Sequence, residues 1–184
     1  MPAVDNGHLP LEAWGNLFLL TSAAAATLVG LLFVVMTLAA ERQPASEARR
    51  ISVYMTPTVV YFASVLLLAA ALTIPTQSRL SVALCCCGEG AGGIVYALSL
   101  IRLAERFLER KDAWQYALLP AGAFGLQVAG GAIVYVRNPG TGLTMVAVAM
   151  LVLLALAVRN SWSIAVNVIS SRRREGDSDT KGHG

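Results

Sequence analysis

The chain has 184 residues, 56% of them hydrophobic and 14% charged, with a formal net charge of +3. A soluble domain carries about a quarter charged residues, and a disordered chain lacks long apolar runs. The charges here are gathered in short connectors between long uncharged stretches. That pattern excludes both classes and points to an all-α bundle of transmembrane helices.

Five spans are expected, at about 13–40, 51–74, 80–101, 114–136 and 143–169. The opening MPAVDNGHLP has no basic leader, so the first span is expected to stay in place as an anchor. Trp14 stands at its start, as an interfacial residue does. Ser22, Ala26 and Gly30 follow at four-residue spacing, a small-residue seam for a close helix neighbour. The first twelve residues read as a short external tail.

Arg42, Arg49 and Arg50 lie in the connector to the second span, which carries Pro57 in its early turns and Tyr61 and Ser64 near mid-depth. A kink at Pro57 is tolerable in a membrane because neighbouring helices can satisfy the freed carbonyl. Pro75 and the polar TQSR end the span.

The third span, LSVALCCCGEGAGGIVYALSLI, holds Glu89 at its centre between Gly88 and Gly90. A carboxylate at that depth is costly unless it is protonated, paired or wetted, which makes it a functional candidate. Cys85, Gly88 and Gly92 define an expected packing face. Cys85, Cys86 and Cys87 are consecutive, so their side chains point about 100° apart on a helix and cannot converge on a metal. They read as small apolar packing residues. The helical pattern is expected to continue past Ile101, where Arg102, Arg106 and Arg110 recur every four residues. That stripe suits anionic lipid headgroups, or equally a solvated helix end.

The fourth span is glycine-rich, and Gly122 and Gly125 mark a second packing seam. Gln127 is its one polar interior residue. NPGTG then reads as a turn. The fifth span is apolar to Val158 and carries Arg159 in its later half. The segment 172–184, basic and then acidic, is expected to be a disordered tail.

Basic residues set the expected orientation. The connectors after the first and third spans and the C-terminal tail hold all of them except Arg79 and Arg137, on the other side, and Arg159 within the last span. The positive-inside rule then puts the N-terminus outside and the C-terminus in the cytoplasm. The net charge is largely this asymmetry and gives no reason to expect a nucleic-acid partner.

Trp14, Phe18, Ala23 to Ala26 and Gly30 to Val34 together resemble the first helix of a loose family of small bacterial multi-span proteins. The Asn160 to Trp162 step is similar to that family as well. The resemblance implies a five-helix membrane protein of the bacterial cytoplasmic membrane and assigns no chemistry to any residue. A preference for Arg over Lys and a richness in Ala and Gly agree with it.

Depth can be counted from the charged outer ends. Glu89 lies ten residues beyond Arg79, Gln127 ten before Arg137, and Ser64 eleven before Pro75. The three are expected in one layer. Arg159 is a candidate countercharge, but counting from Leu143 places it about 9 Å deeper than Glu89 at 1.5 Å per residue. A direct pair would need a shifted or tilted span, or a second subunit.

Two function classes follow. One is a non-enzymatic subunit whose seams pack against its own copies or another membrane protein. The other is an oligomeric proton or cation channel or transporter that uses Glu89. Against the second stand the single carboxylate and the absence of an inverted repeat. An enzyme is not expected: His8 and His183 lie in the tails, and there is no HExxH, nucleophile elbow or acid cluster. No cofactor is expected either.

Overall fold

The computed structural model describes the backbone of residues 11–40, 45–75, 77–104 and 110–181, and the side chains of 13–37, 56–75, 77–100 and 118–163. It is all-helical: α1 (Leu11–Ala40), α2 (Ala45–Leu72), α3 (Arg79–Ala104), α4 (Arg110–Val136) and α5 (Pro139–Lys181). Four helices have stretches long and apolar enough to cross a bilayer: Ala13–Thr37, Arg79–Leu100, Leu118–Val136 and Pro139–Ser163. In α2 the described apolar stretch, Thr56–Leu72, is shorter. The backbone of α2 itself has 28 residues, about 42 Å of helix.

The outer surface agrees with a membrane. Leu20 is 70% exposed, Val95 68% and Val136 74%, and Leu19, Phe33, Leu67 and Leu84 are exposed too. Water-soluble monomers do not carry apolar surface on that scale, whereas lipid tails cover it at no cost. The chain is an integral membrane protein with several apolar spans. Inside, Phe18, Tyr61, Phe62, Phe124, Leu143, Met150 and Leu153 are fully buried. In lipid these contacts stabilise through close packing and dispersion rather than through release of water.

Local chemistry fixes the helix ends at one pole of the bundle. Gln77 Nε2 donates to the Ala71 carbonyl at the end of α2. Ser78 Oγ then accepts from the Ser81 amide at 3.1 Å, capping α3. Between α4 and α5 only Arg137 and Asn138 intervene. Asn138 Oδ1 accepts from the Gly140 amide at 3.0 Å, and Pro139 opens the helix where a missing N–H costs nothing. The expected start of the fifth span near Leu143 is therefore corrected: NPGTG is a capped helix start rather than a turn before one.

Helix α3 packs most extensively on α4, α4 on α5, and α1 on α2; α5 also lies against α2 and α1, while α2 and α3 touch only a little. Glycines set the closest approaches. On α3 the seam is Ala83, Cys86, Gly90, Gly93 and Ala97, a three-four spacing, all buried. A Cβ on Gly93 would stand 2.3 Å from the Phe124 ring, and one on Gly90 2.7 Å from Val128 Cγ2. A Cβ on Gly131 would meet Cys86 Cβ at 2.7 Å, which makes α3 and α4 antiparallel. Gly130 and Gly142 do the same for α4 and α5.

The helix faces and ends differ in part from expectation. Gly30, Gly88, Gly92, Gly122 and Gly125, expected at packing seams, have open space where a Cβ would sit, so among the described residues none makes a close contact within this chain. The α3 seam is one residue out of phase with the expected Cys85–Gly88–Gly92 face. The expected continuation of the third helix past Ile101 is present to Ala104. Helix α3 runs to Ala104 and the antiparallel α4 begins at Arg110. Arg106 and the side chains of Arg102 and Arg110 lie outside the described residues. Finally, the expected disordered tail is helical as far as Lys181. Elongating an established helix adds one hydrogen bond per residue fixed, so α5 propagates beyond its apolar part.

Candidate functional site

Among the described residues, the buried polar side chains are Thr21, Thr58 and Gln127. Thr21 satisfies its hydroxyl on its own helix, donating to the Leu17 carbonyl at 2.7 Å. Gln127 differs, because it reaches from α4 to α3. Its Nε2 donates to Glu89 Oε2 and lies 3.4 Å from the Cys86 carbonyl. From α2, Ser64 Oγ donates to the other carboxyl oxygen, Oε1. Glu89 thus joins three helices at one point, and the Ser64 bond spans the α2–α3 pair that otherwise makes little contact.

The site follows from helix geometry. Neighbouring helices run antiparallel, so equal residue counts from Arg79 and Arg137 bring Glu89 and Gln127 to one level. Gly90 and Gly93 remove the side chains that would hold α4 away, and the gap left is short enough for Glu and Gln to span. Gln127 sits in the α4 stripe of Pro120, Ala123, Phe124, Gln127, Gly130, Gly131 and Val134, so it faces α3 and α5 rather than lipid.

Arg159 is not part of this arrangement. It is exposed on α5, twenty residues after Pro139, or about 30 Å along the helix. That places it near the far end of the apolar stretch, beside Trp162, which is 72% exposed. A long cationic side chain there reaches the headgroups with its stem in the apolar layer. The earlier start of α5 accounts for the difference from the expected depth.

Three groups belong to the site beyond the expected set. The Cys86 carbonyl is one, placed by the turn of helix before Glu89. The others are Tyr61 and Tyr96, on the helices that carry Ser64 and Glu89. Tyr61 lies three residues before Ser64 and Tyr96 seven after Glu89, so helical periodicity alone puts each on the same face as its neighbour. The Tyr61 ring packs 6.3 Å from that of Phe124. Two buried atoms in this region, Gln127 Oε1 and Tyr96 Oη, have no hydrogen-bond partner.

The described residues contain no group of three or more His, Cys, Asp or Glu side chains able to hold a metal ion. The cysteines are free thiols, with Cys86 packed in the α3 seam. A single carboxyl with hydroxyl and amide neighbours can tie helices together, hold a proton or bind a small cation. Comparison with protein-family models, with curated proteins and with solved structures gives no match for this chain, so its reading rests on its own geometry.

Proposed function

We propose that this chain is a non-enzymatic subunit of a bacterial cytoplasmic membrane, which assembles with its own copies or another membrane protein through small-residue faces on α1, α3 and α4. The observation that carries the reading is the position of five glycines. Gly30, Gly88, Gly92 and Gly122 are exposed and Gly125 half-buried, and a Cβ on any of them would meet none of the described residues within 4 Å. Glycine weakens a helix by roughly 0.5–1 kcal/mol relative to alanine. Among the described residues nothing packs against these five, whereas a second helix laid against them could approach closely.

Glu89 fits the same reading. Both of its oxygens accept side-chain hydrogen bonds within one chain, as a clasp between helices does. A channel would instead ask this carboxyl to face a wet path.

The test is the oligomeric state in lipid nanodiscs by light scattering. Gly92→Leu should release monomer while leaving the thermal midpoint within a few degrees of the parent, because its site is open in the monomer. A parent that is monomeric at every concentration, alone and in extracts of its own membrane, would sink the proposal.

Orientation has its own experiment. A cysteine introduced at Asp5 should react with a membrane-impermeant maleimide in intact cells, and one at Ser178 only after lysis. The reverse pattern would place the N-terminus in the cytoplasm.

A further inference from the structure

We propose that the far half of α5 carries a binding site for one anionic phospholipid, with its phosphate held by Arg159 and one acyl chain laid along the helix. The site is separate from the glycine faces of α1, α3 and α4.

Six side chains at three- and four-residue spacing share one stripe of α5: Leu151, Leu154, Ala155, Val158, Arg159 and Trp162. Among the described residues they line a groove of about 520 Å³, within the roughly 300–1,000 Å³ of sites that hold small organic ligands. Leu154 packs against the core and forms the floor. Leu151 and Val158 are exposed, and the small side chain of Ala155 between them leaves the hollow.

Length points to the occupant. Leu151 comes twelve residues after Pro139 and Trp162 twenty-three, so the groove covers about 18–35 Å of helix measured from that pole. A hydrocarbon core is about 30 Å thick. The apolar part therefore begins just past the midplane, and Arg159, at about 30 Å, stands at the far surface. That is the depth of one leaflet, which a single lipid spans from headgroup to chain end. A transmembrane helix of a partner would run on through both leaflets, whereas the groove ends at Leu151.

Charge points to the headgroup. Glu89 is the one carboxylate among the described side chains, and its two oxygens accept from Ser64 and Gln127. It lies ten residues, about 15 Å, from the pole at Arg79, half the depth of Arg159. Arg159 therefore has no acidic partner among those side chains. The hydroxyls of Ser161 and Ser163 turn back onto their own helix, donating to the carbonyls of Ala157 and Arg159 at 2.9 and 3.2 Å. The guanidinium is left at the mouth of the groove, and its planar fork matches a phosphate through two parallel N–H bonds. Trp162, 72% exposed, adds an indole N–H at the same level, where aromatic residues favour the membrane interface. A zwitterionic headgroup brings its own cation beside the phosphate and gains less, so the site selects net negative charge.

Tryptophan quenching in lipid vesicles tests it. The chain has three tryptophans, and Trp14→Phe with Trp114→Phe leaves Trp162 alone. The full-length variant is reconstituted in phosphatidylcholine containing a small fraction of chain-brominated phosphatidylglycerol or chain-brominated phosphatidylcholine. Phosphatidylglycerol should quench as though bound about fivefold more tightly, the advantage of one cation beside an anionic headgroup. Arg159→Gln should remove that preference. Ala155→Phe fills the groove but keeps the charge, and should weaken it. Both positions are exposed, so neither change disturbs the core. The unaltered protein gives a second reading: native mass spectrometry should retain one phosphatidylglycerol per chain, and Arg159→Gln should lose it. Equal quenching by the two lipids, or a preference unchanged by Arg159→Gln or by Ala155→Phe, overturns the proposal. Quenching by neither lipid would mean that another protein chain covers the groove, and overturns it too.

Discussion

Gly142→Ala should destabilise the bundle by about 3 kcal/mol, the upper end of the range for overpacking. The added methyl would stand 2.6 Å from the Gly130 carbonyl oxygen, from the Val134 amide nitrogen and from Val134 Cγ2. Two of those atoms are backbone, so no rotamer change can relieve the clash. Helices α4 and α5 would have to separate, yet only Arg137 and Asn138 join them. Tryptophan fluorescence on heating would follow it, and the midpoint should fall by roughly 10 °C. Gly92→Ala is the control. Its methyl meets open space, so it should change stability by less than about 1 kcal/mol, in the favourable direction if helix propensity decides. Equal midpoints for the two variants would mean that the α4–α5 contact is not formed as described.

Glu89→Leu should cost about 2–3 kcal/mol, read as loss of folded protein in a reversible detergent-unfolding series. Leucine removes the acceptor for both Ser64 and Gln127. It leaves the buried Gln127 amide with only the Cys86 carbonyl at 3.4 Å. An unsatisfied buried donor costs about 1–3 kcal/mol, softened in lipid because unfolded helices find other partners. Glu89→Gln keeps the shape and the hydrogen-bonding capacity, so it should stay within about 1 kcal/mol of the parent. The double variant Glu89→Leu, Gln127→Leu should recover part of the loss, because removing both partners leaves no buried group unmet. A double variant as unstable as the sum of the singles would show that the two side chains do not interact.

The two kinds of feature were unequally legible in the chain. Depth was readable, because antiparallel helices rise equally per residue and the charged ends Arg79 and Arg137 set a common zero. Counting inward from them brings Glu89, Gln127 and Ser64 to one layer, and the three hydrogen-bond there. Rotation was not readable in α3. Cys85 to Gly93 is almost all small or apolar, so no polar face marks which side looks outward, and the seam can be drawn through Gly88 and Gly92 or through Gly90 and Gly93 with equal ease. Only the neighbour decides, and Phe124 stacks on Gly93. The start of α5 is ambiguous in the sequence for a different reason. Asn followed by Pro serves a turn and a helix start equally well, and the cap at Gly140 distinguishes them. That shift of four residues moved Arg159 from a possible partner of Glu89 to the rim of the apolar layer.

The position of α5 in the packing bears on how the protein is made. Helices α1 and α2 form one pair and α3 and α4 another, and among the described residues the two pairs meet through the slight α2–α3 contact, the Ser64–Glu89 bond and the Tyr61–Phe124 ring contact. Helix α5 lies against α4 on one side and against α2 and α1 on the other. It is also the last of the five to leave the ribosome. During synthesis the two hairpins therefore lack most of the surface that joins them until α5 arrives between them. A translocon-associated chaperone or a quality-control protease has its opportunity in that interval. A nascent chain stalled before residue 139 should be far easier to degrade than one released with α5 in place.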